Sequence, residues 1–366
     1  MDKKSLALLG IVTMLFGLGL VMIFNTTSAE VIDRALNVSV YQAVIKQLLY
    51  AIFGIGCALC LSKIGYAKIM RMSAPLLLFA TGLLVLVLIP GVGVQINGAR
   101  RWISFLGISL QPSEFVKYLI PIYVIHEITA HKKTVDFVFF LRLIGKLCIP
   151  LGLILMEPDN GSVLILGVTL VFLCILMRIR PLFWLVPLSV IACGGAVAAL
   201  RMPHVIDRLQ VFIHPERDLL GKGHQPYQAK IATGSGGLYG RGLGESLQKM
   251  NYLPEARSDY IAAIFAEECG FIGIVLLIAF YMTIGVLGYA MAISVRHDEA
   301  FYLLATATFL LCFQAFFNLG VVSGMLPSKG MNLPFFSQGG SSLVAQLLIV
   351  SMMISAYRAR LLHERS

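Results

Sequence analysis

The chain has 366 residues, of which 58% are hydrophobic and only 13% charged, with a mean hydropathy of +0.84 and a net charge of +10. An average soluble domain carries about 25% charged residues, so an ordinary soluble enzyme, a disordered chain and a fibre are all excluded. The basic excess has no soluble domain to occupy, so it argues against a nucleic-acid partner. Basic residues that flank apolar spans instead orient a membrane protein and meet anionic lipid.

A membrane span needs about 20 apolar residues. Runs of roughly that kind fall near 5–24, 44–62, 73–90, 113–129, 142–156, 161–177, 181–200, 260–292, 300–322 and 340–357. They predict an all-α polytopic membrane protein of about ten transmembrane helices. It forms one domain over 1–366, with a long loop, 201–257, between helices 7 and 8. Lys3 and Lys4 before the run Leu6 to Phe24 resemble a signal sequence. That run is too long for a typical signal core and more spans follow, so it reads as a retained first helix.

Ten spans put both termini on one side. The short segments on that side hold 15 Lys and Arg, those on the other side five. The positive-inside rule therefore makes both termini cytoplasmic and the long loop extracytoplasmic. Such a loop needs a functional reason, and the polar material of the chain gathers on its side. The seven cysteines, a Cys57-x-x-Cys60 pair included, all lie in apolar segments and read as buried thiols. The sequence shows neither a nucleotide-binding glycine loop nor a cytoplasmic nucleotide domain, which argues against ATP-driven work.

Four polar clusters carry the candidate chemistry. In the first, Asn97-Gly98-Ala99-Arg100-Arg101-Trp102 precedes Gln111-Pro112-Ser113-Glu114-Phe115-Val116-Lys117. Paired arginines beside an interfacial Trp suit a phosphate at the membrane surface, or simply an aromatic belt. Pro112 and Ser113 look like a helix start. Glu114 and Lys117, at i and i+3, share a face. Ionised groups inside a span cost about 2.5–3.5 kcal/mol at its centre, so they pair or serve a site.

The second cluster, Glu157-Pro158-Asp159-Asn160-Gly161-Ser162, is strong turn chemistry with more carboxylates than a turn needs. The third, Pro254-Glu255-Ala256-Arg257-Ser258-Asp259-Tyr260, ends the long loop. Ser258 is a plausible N-cap, with Asp259 in the first turn at the membrane surface. A base must stand there if its substrate has a lipid tail and a polar head. An Asp serving the helix dipole is the alternative. Glu267 is eight residues on, about 12 Å deeper along a helix, and cannot pair directly with Asp259. The fourth cluster holds Pro327-Ser328-Lys329-Gly330 and Ser337-Gln338-Gly339-Gly340-Ser341-Ser342. Its glycines and hydroxyls before a helix suit an anion or a close backbone approach, or a flexible connection.

In their joint order, NGARRWI with QPSEFVK, EPDNGS, LPEARSDYIAAIFAEECG and LPSKGMNLPFFSQGGSS resemble the SEDS family, the RodA/FtsW membrane glycosyltransferases. The resemblance covers essentially the whole chain. Gly242–Ala256 and the Pro327–Gly330 turn look closer to FtsW-type division members. The family's usual His-Thr-Asp-Phe reads Arg257-Ser258-Asp259-Tyr260 here, so the Asp is kept. The usual Gln-Pro-Asp reads Glu157-Pro158-Asp159, and Ser-Tyr-Gly-Gly reads Ser337-Gln338-Gly339-Gly340.

The resemblance implies a peptidoglycan polymerase of the bacterial cytoplasmic membrane. Its substrate would be lipid II, a disaccharide-pentapeptide on undecaprenyl diphosphate, joined by inverting transfer into β-1,4 strands. Asp259 would be the general base. Arg100, Arg101, Lys117 and Lys329 would meet the diphosphate, with a divalent cation (Mg or Mn) a further candidate. Glu114 would position Lys117, and Asp159 would support the cavity. Trp102, Gln111, Ser337, Gly339 and Gly340 would complete the substrate site. A class B penicillin-binding protein and other division or elongation membrane proteins are the implied partners. Two other readings stay open. A lipid II flippase would need midplane charge, for which Glu267 and Glu268 are the candidates. A non-enzymatic scaffold would not need Asp259.

Overall fold

The computed structural model describes residues 2–33, 39–96, 99–105, 108–131, 135–189, 223–249 and 256–363, with isolated positions 212, 218, 221 and 253. Its helices are α1 (Lys3–Asp33), α2 (Gln42–Ile64), α3 (Tyr66–Arg71), α4 (Ser73–Leu88), α5 (Pro112–Ala130), α6 (Phe137–Met156), α7 (Asn160–Leu176), α8 (His224–Ser235), α9 (Ile261–Ser294), α10 (Asp298–Val322) and α11 (Gly340–His363). Residues 181–189 are also helical. The rest of the predicted span 181–200, Cys193, Lys132, Lys133, Pro254, Glu255 and much of the first part of the 201–257 loop lie outside the described residues.

Six of the described helices are long and apolar enough to cross a membrane, namely α1, α2, α6, α9, α10 and α11. Helices α4 and α7 are apolar but shorter. Helix α5 carries Glu114, Lys117 and Glu127, which lower its apolar character. The chain is thus a multi-pass membrane protein. Large apolar side chains such as Leu49, Phe53, Leu78, Phe79, Met282 and Val286 stand exposed on the helix faces. In water they would be an aggregation hazard; in a bilayer they meet lipid. Cys60 and Cys148 lie on such exposed faces, so not every cysteine is buried as expected. Their short apolar thiols are as compatible with acyl chains as with a protein core.

Helices α10 and α11 are the most enclosed of the six. Helix α11 packs along α2, where Gly54 admits Leu347 and the Val344 backbone; a Cβ there would stand 2.8 Å from the Leu347 side chain. Helix α1, with 31 residues, is about 46 Å long, more than the roughly 30 Å hydrocarbon core. Its polar end, Asn25 to Glu30, therefore projects past the apolar run and reaches the polar segments described below.

The all-α expectation needs one correction. Three short strands, β1 (Gly93–Ile96), β2 (Ala99–Phe105) and β3 (Ile108–Leu110), form an antiparallel sheet in the order β1-β2-β3. The strands are short, and local hairpins pair their backbone groups beside the helix bundle. Between β1 and β2 the register shifts: Val94 faces Trp102 while Gln95 faces Arg100. Arg101 is the extra residue of a bulge, a feature that re-aims a side chain.

Candidate active site

The N-terminal ends of α5, α7, α9 and α11 meet at one end of the bundle, beneath the sheet. They enclose a cavity of about 630 Å³ to which all four polar clusters contribute. Arg101, Trp102, Gln111, Glu114 and Lys117 line it from the first cluster, Asp159 from the second, Asp259 from the third, and Gly339 and Gly340 from the fourth. Arg100, Lys329 and Ser337 are not among the lining residues. The bulge accounts for the difference between the arginines. It interrupts the in–out alternation of β2, so that Arg101 and Trp102 both face the cavity.

Helix α5 begins as predicted, with Pro112 in its first turn and Gln111 as N-cap. Lys117 Nζ donates to Glu114 Oε2 at 2.8 Å, and the lysine is only 2% exposed. The charge is kept in a nearly dry site by a partner one turn away. Arg101 straps the sheet to the α6–α7 turn. Its Nε donates to the carbonyl of Glu157 and its Nη2 to that of Pro158, both at 2.8 Å. Asp159 caps α7, accepting from the Ser162 amide at 3.2 Å and from the Ser162 hydroxyl at 2.6 Å. The turn reading and the site reading of this cluster both hold, because the capping carboxylate also faces the cavity.

Asp259 does not sit in a first helical turn. Helix α9 begins at Ile261 with Tyr260 as N-cap, and no side chain caps it, so the expectation for Ser258 fails. Tertiary bonds hold the segment in turns instead. The Asp259 carbonyl accepts from Asn318 Nδ2 at 2.9 Å, and the Arg257 carbonyl accepts from the Gln338 amide at 3.0 Å. Arg257 pairs with Glu30 at the end of α1, at 3.1 Å. Gly330 stands so close that a Cβ there would lie 2.6 Å from Asp259 Oδ2. Tyr260 bonds to Ser328 Oγ at 2.8 Å, and burial pushes its phenol up to about 12.

Sequence reasoning missed several supports. Gln47 on α2 holds the fourth cluster by accepting from the Gly339 amide at 3.2 Å and donating to the Ser337 carbonyl at 3.4 Å. Ser337 itself is buried, and its hydroxyl accepts from the Leu333 amide, which makes it a loop brace. Lys46 and Tyr50 of α2 line the cavity, as do Gln314 and Asn332. Lys46, Tyr50 and Gln314 stand in long apolar runs that give no polar cluster to notice.

Glu267 and Glu268 have a different use. Both are about 1% exposed, beside a break in α9 at Gly270, whose φ is +65°. Residues 236–249 dock into that break. The amides of Arg241 and Gly242 donate to the carbonyls of Glu267 and Glu268, at 3.0 Å each. Glu267 accepts from the Ser246 hydroxyl at 2.5 Å, and Glu268 pairs with Lys249 at 3.0 Å and accepts from Asn25 at 2.5 Å. These carboxylates anchor the end of the long loop to α1 and α9.

Next to the polar cavity lies an apolar crevice of about 370 Å³ between α2, α4, α5 and α11. Leu110, Pro112 and Phe115 line it, sequence neighbours of Gln111 and Glu114 in the polar cavity. The pair of spaces suits an amphiphile with a polar head and a hydrocarbon chain. Among the described residues no cluster of three or more His, Cys, Asp or Glu is arranged to hold a metal. Magnesium usually takes one or two carboxylates plus substrate phosphates. Asp159 and Glu114 both line the cavity, where Glu114 is bound to Lys117 and Asp159 to Ser162.

A family model described as cell cycle protein, spanning FtsW, RodA and SpoVE, matches residues 6–361. A probable peptidoglycan glycosyltransferase FtsW of Trichlorobacter lovleyi is 34% identical over 357 residues, covering 96% of this chain and 93% of the relative. Another from Thioalkalivibrio sulfidiphilus is 36% identical over 369 residues, covering 98% and 90%. Among solved structures, a chain from work on the structural coordination of polymerization and crosslinking by a peptidoglycan synthase complex superposes with a TM-score of 0.74. It is 25% identical, with 97% of each chain covered. Rod shape determining protein RodA of Thermus thermophilus gives 0.68 at 25% identity, covering 97% and 96%.

Proposed function

The chain belongs to the FtsW/RodA/SpoVE family of cell cycle proteins, and from that membership we propose that it is a peptidoglycan glycosyltransferase that polymerises lipid II. The observation that carries the chemistry is the shared cavity, where Asp259 stands with Lys117, Arg101 and Asp159. Asp259 takes the proton from the 4-hydroxyl of the acceptor sugar as that oxygen attacks the anomeric carbon of the donor. The bond from that carbon to the diphosphate oxygen breaks, and its electron pair leaves with the lipid diphosphate. Attack from the opposite face turns an α-linked donor into a β-1,4 linkage. The leaving group needs positive charge and no proton, which suits a cavity rich in cations. Lys117, steadied by Glu114, and Arg101 supply fixed charge. A divalent cation bound by Asp159 and Glu114 with the diphosphate would add charge neutralisation when present. The adjoining apolar crevice takes the first isoprene units of the lipid.

The membrane arrangement goes with this reading: about ten spans, both termini in the cytoplasm, and the cavity opening at the outer face of the bacterial cytoplasmic membrane. The match to a peptidoglycan synthase complex supports a class B penicillin-binding protein as the crosslinking partner. FtsW relatives favour division over elongation. The flippase reading loses its candidate midplane charges, because Glu267 and Glu268 are committed to the loop.

The test is polymerisation of purified lipid II by wild type and Asp259→Asn, each with its transpeptidase partner. Glycan from wild type and none from the folded variant is expected. Glycan at the wild-type rate from the variant overturns the role of Asp259, and transbilayer movement of lipid II without polymer overturns the enzyme.

A further inference from the structure

Four cations line the cavity: Lys46, Arg101, Lys117 and Arg257. Lys117 is bound to Glu114 at 2.8 Å and Arg257 to Glu30 at 3.1 Å, so each already has a carboxylate partner. Arg101 keeps its charge, but its fork is aimed at two main-chain carbonyls. Lys46 differs, having no hydrogen bond or ion pair among the described residues, and it is exposed at the outer end of α2. We propose that Lys46 binds the lipid-linked diphosphate of the substrate, an assignment that rests on the glycosyltransferase reading.

Three features make this lysine more than a surface charge. Its neighbour Gln47 grips the fourth cluster through the Gly339 amide and the Ser337 carbonyl. One turn further, the Tyr50 ring packs where any Cβ on Gly340 would stand, and its hydroxyl donates to the Ser109 carbonyl at 3.0 Å. The backbone under Lys46 is therefore fixed against the cavity rim while its ammonium group stays free to move. A long flexible stem lets a lysine keep its head at the polar boundary of a membrane, where the headgroup of a lipid lies. As the glycosidic carbon–oxygen bond breaks, negative charge grows on the diphosphate. An ammonium group with no carboxylate partner meets that charge without first breaking a pair.

The phosphate chemistry has two sources, the polyprenyl diphosphate of the substrate or an ordinary anionic phospholipid. The experiment uses the full chain with its transpeptidase partner and compares wild type, Lys46→Gln, Lys46→Arg and Asp259→Asn. Rates are measured over a range of lipid II concentrations. Inhibition by farnesyl diphosphate, and separately by phosphatidylglycerol, is measured in the same micelles. Direct binding of farnesyl diphosphate is measured for every variant. Loss of one charge-assisted contact is worth about ten-fold in binding. Lys46→Gln is expected to lower kcat/KM and to weaken farnesyl diphosphate inhibition by about that factor. Lys46→Arg should restore most of both, and Asp259→Asn should bind farnesyl diphosphate like wild type. Unchanged farnesyl diphosphate inhibition in Lys46→Gln overturns the proposal. So does competition by phosphatidylglycerol equal to that of farnesyl diphosphate, which makes Lys46 a general headgroup contact. Wild-type polymerisation by Asp259→Asn defeats the underlying enzyme assignment instead, and the binding arm then reads Lys46 independently.

Discussion

Asn318, near the end of α10, holds the backbone of Asp259 in place: its Nδ2 donates to the Asp259 carbonyl at 2.9 Å and to the Met331 carbonyl at 2.6 Å. One amide group thereby joins the segment that carries Asp259 to the loop that carries Gly330. Asn318 is 2% exposed, so water cannot replace it. Asn318→Leu is expected to leave two carbonyls without a donor, at roughly 1–3 kcal/mol for each buried group. Thermal unfolding in detergent should show the loss. If Asp259 is the base proposed above, polymerisation kinetics should show a fall in kcat larger than any rise in KM, because Asp259 moves while the binding surface stays.

Gly330 makes a complementary prediction. A methyl group at this position would press on Asp259 Oδ2, yet the residue itself is exposed. Gly330→Ala should therefore leave the unfolding temperature close to wild type, as surface changes usually do. Its polymerisation rate should drop by about ten-fold or more, since a misplacement of about 1 Å can cost a hundred-fold. A rate equal to wild type would mean that the Asp259 carboxylate does not act from this position.

How much of this was legible in the sequence follows from the range of the interactions. The six longest apolar helices, the start of α5 at Pro112 and the Glu114–Lys117 pair are local, and each stands where spacing put it. The convergence of four clusters was also foreseeable, because each lies at the polar end of an apolar run. The sheet was not, since strands of three to seven residues give too short an alternation to read. Nor was the bulge that separates Arg100 from Arg101, which depends on cross-strand register. The start of α9 was misjudged because Asn318 and Gln338 bind the Asp259 segment from 59 and 81 positions away. Glu268 meets Asn25 across 243 positions, a pairing no local pattern announces.

The docked loop yields a stability prediction. Lys249 and Glu268 form an ion pair in which both side chains are at most 5% exposed. Removing one partner of such a pair costs about 3–5 kcal/mol, because the other charge is stranded. Lys249→Met should thus destabilise the protein and raise hydrogen exchange or proteolysis across 236–249. The double variant Lys249→Met with Glu268→Gln removes both charges and should recover much of that loss. Equal destabilisation in single and double variants would show that packing, not charge, holds the loop.

Glu157 sets the last prediction, which concerns pH. Its side chain is fully buried in the α6–α7 turn, and neither carboxyl oxygen has a partner among the described residues. Burial foremost, then the Asp159 carboxylate, push it up to about 8, against a smaller opposing pull from Arg101. It is a neutral acid at pH 7, which explains how Glu occupies a position where relatives in the resemblance carry the isosteric Gln. The unfolded chain ionises near the ordinary value of 4.5. Between about pH 4.5 and 8 the folded state therefore binds more protons than the unfolded state, so this residue makes stability fall as pH rises, and the effect levels off above 8. Glu157→Gln should remove that slope, which is at most about 1.4 kcal/mol per pH unit. The variant should unfold at a higher temperature than wild type at pH 8 and match it near pH 4.5. Activity should follow the same group. Above pH 8 a second carboxylate appears beside Asp159 and draws on the Arg101 charge, so wild-type polymerisation should decline there while Glu157→Gln holds its rate. Parallel pH profiles for the two proteins would show that Glu157 does not titrate over this range in the working enzyme.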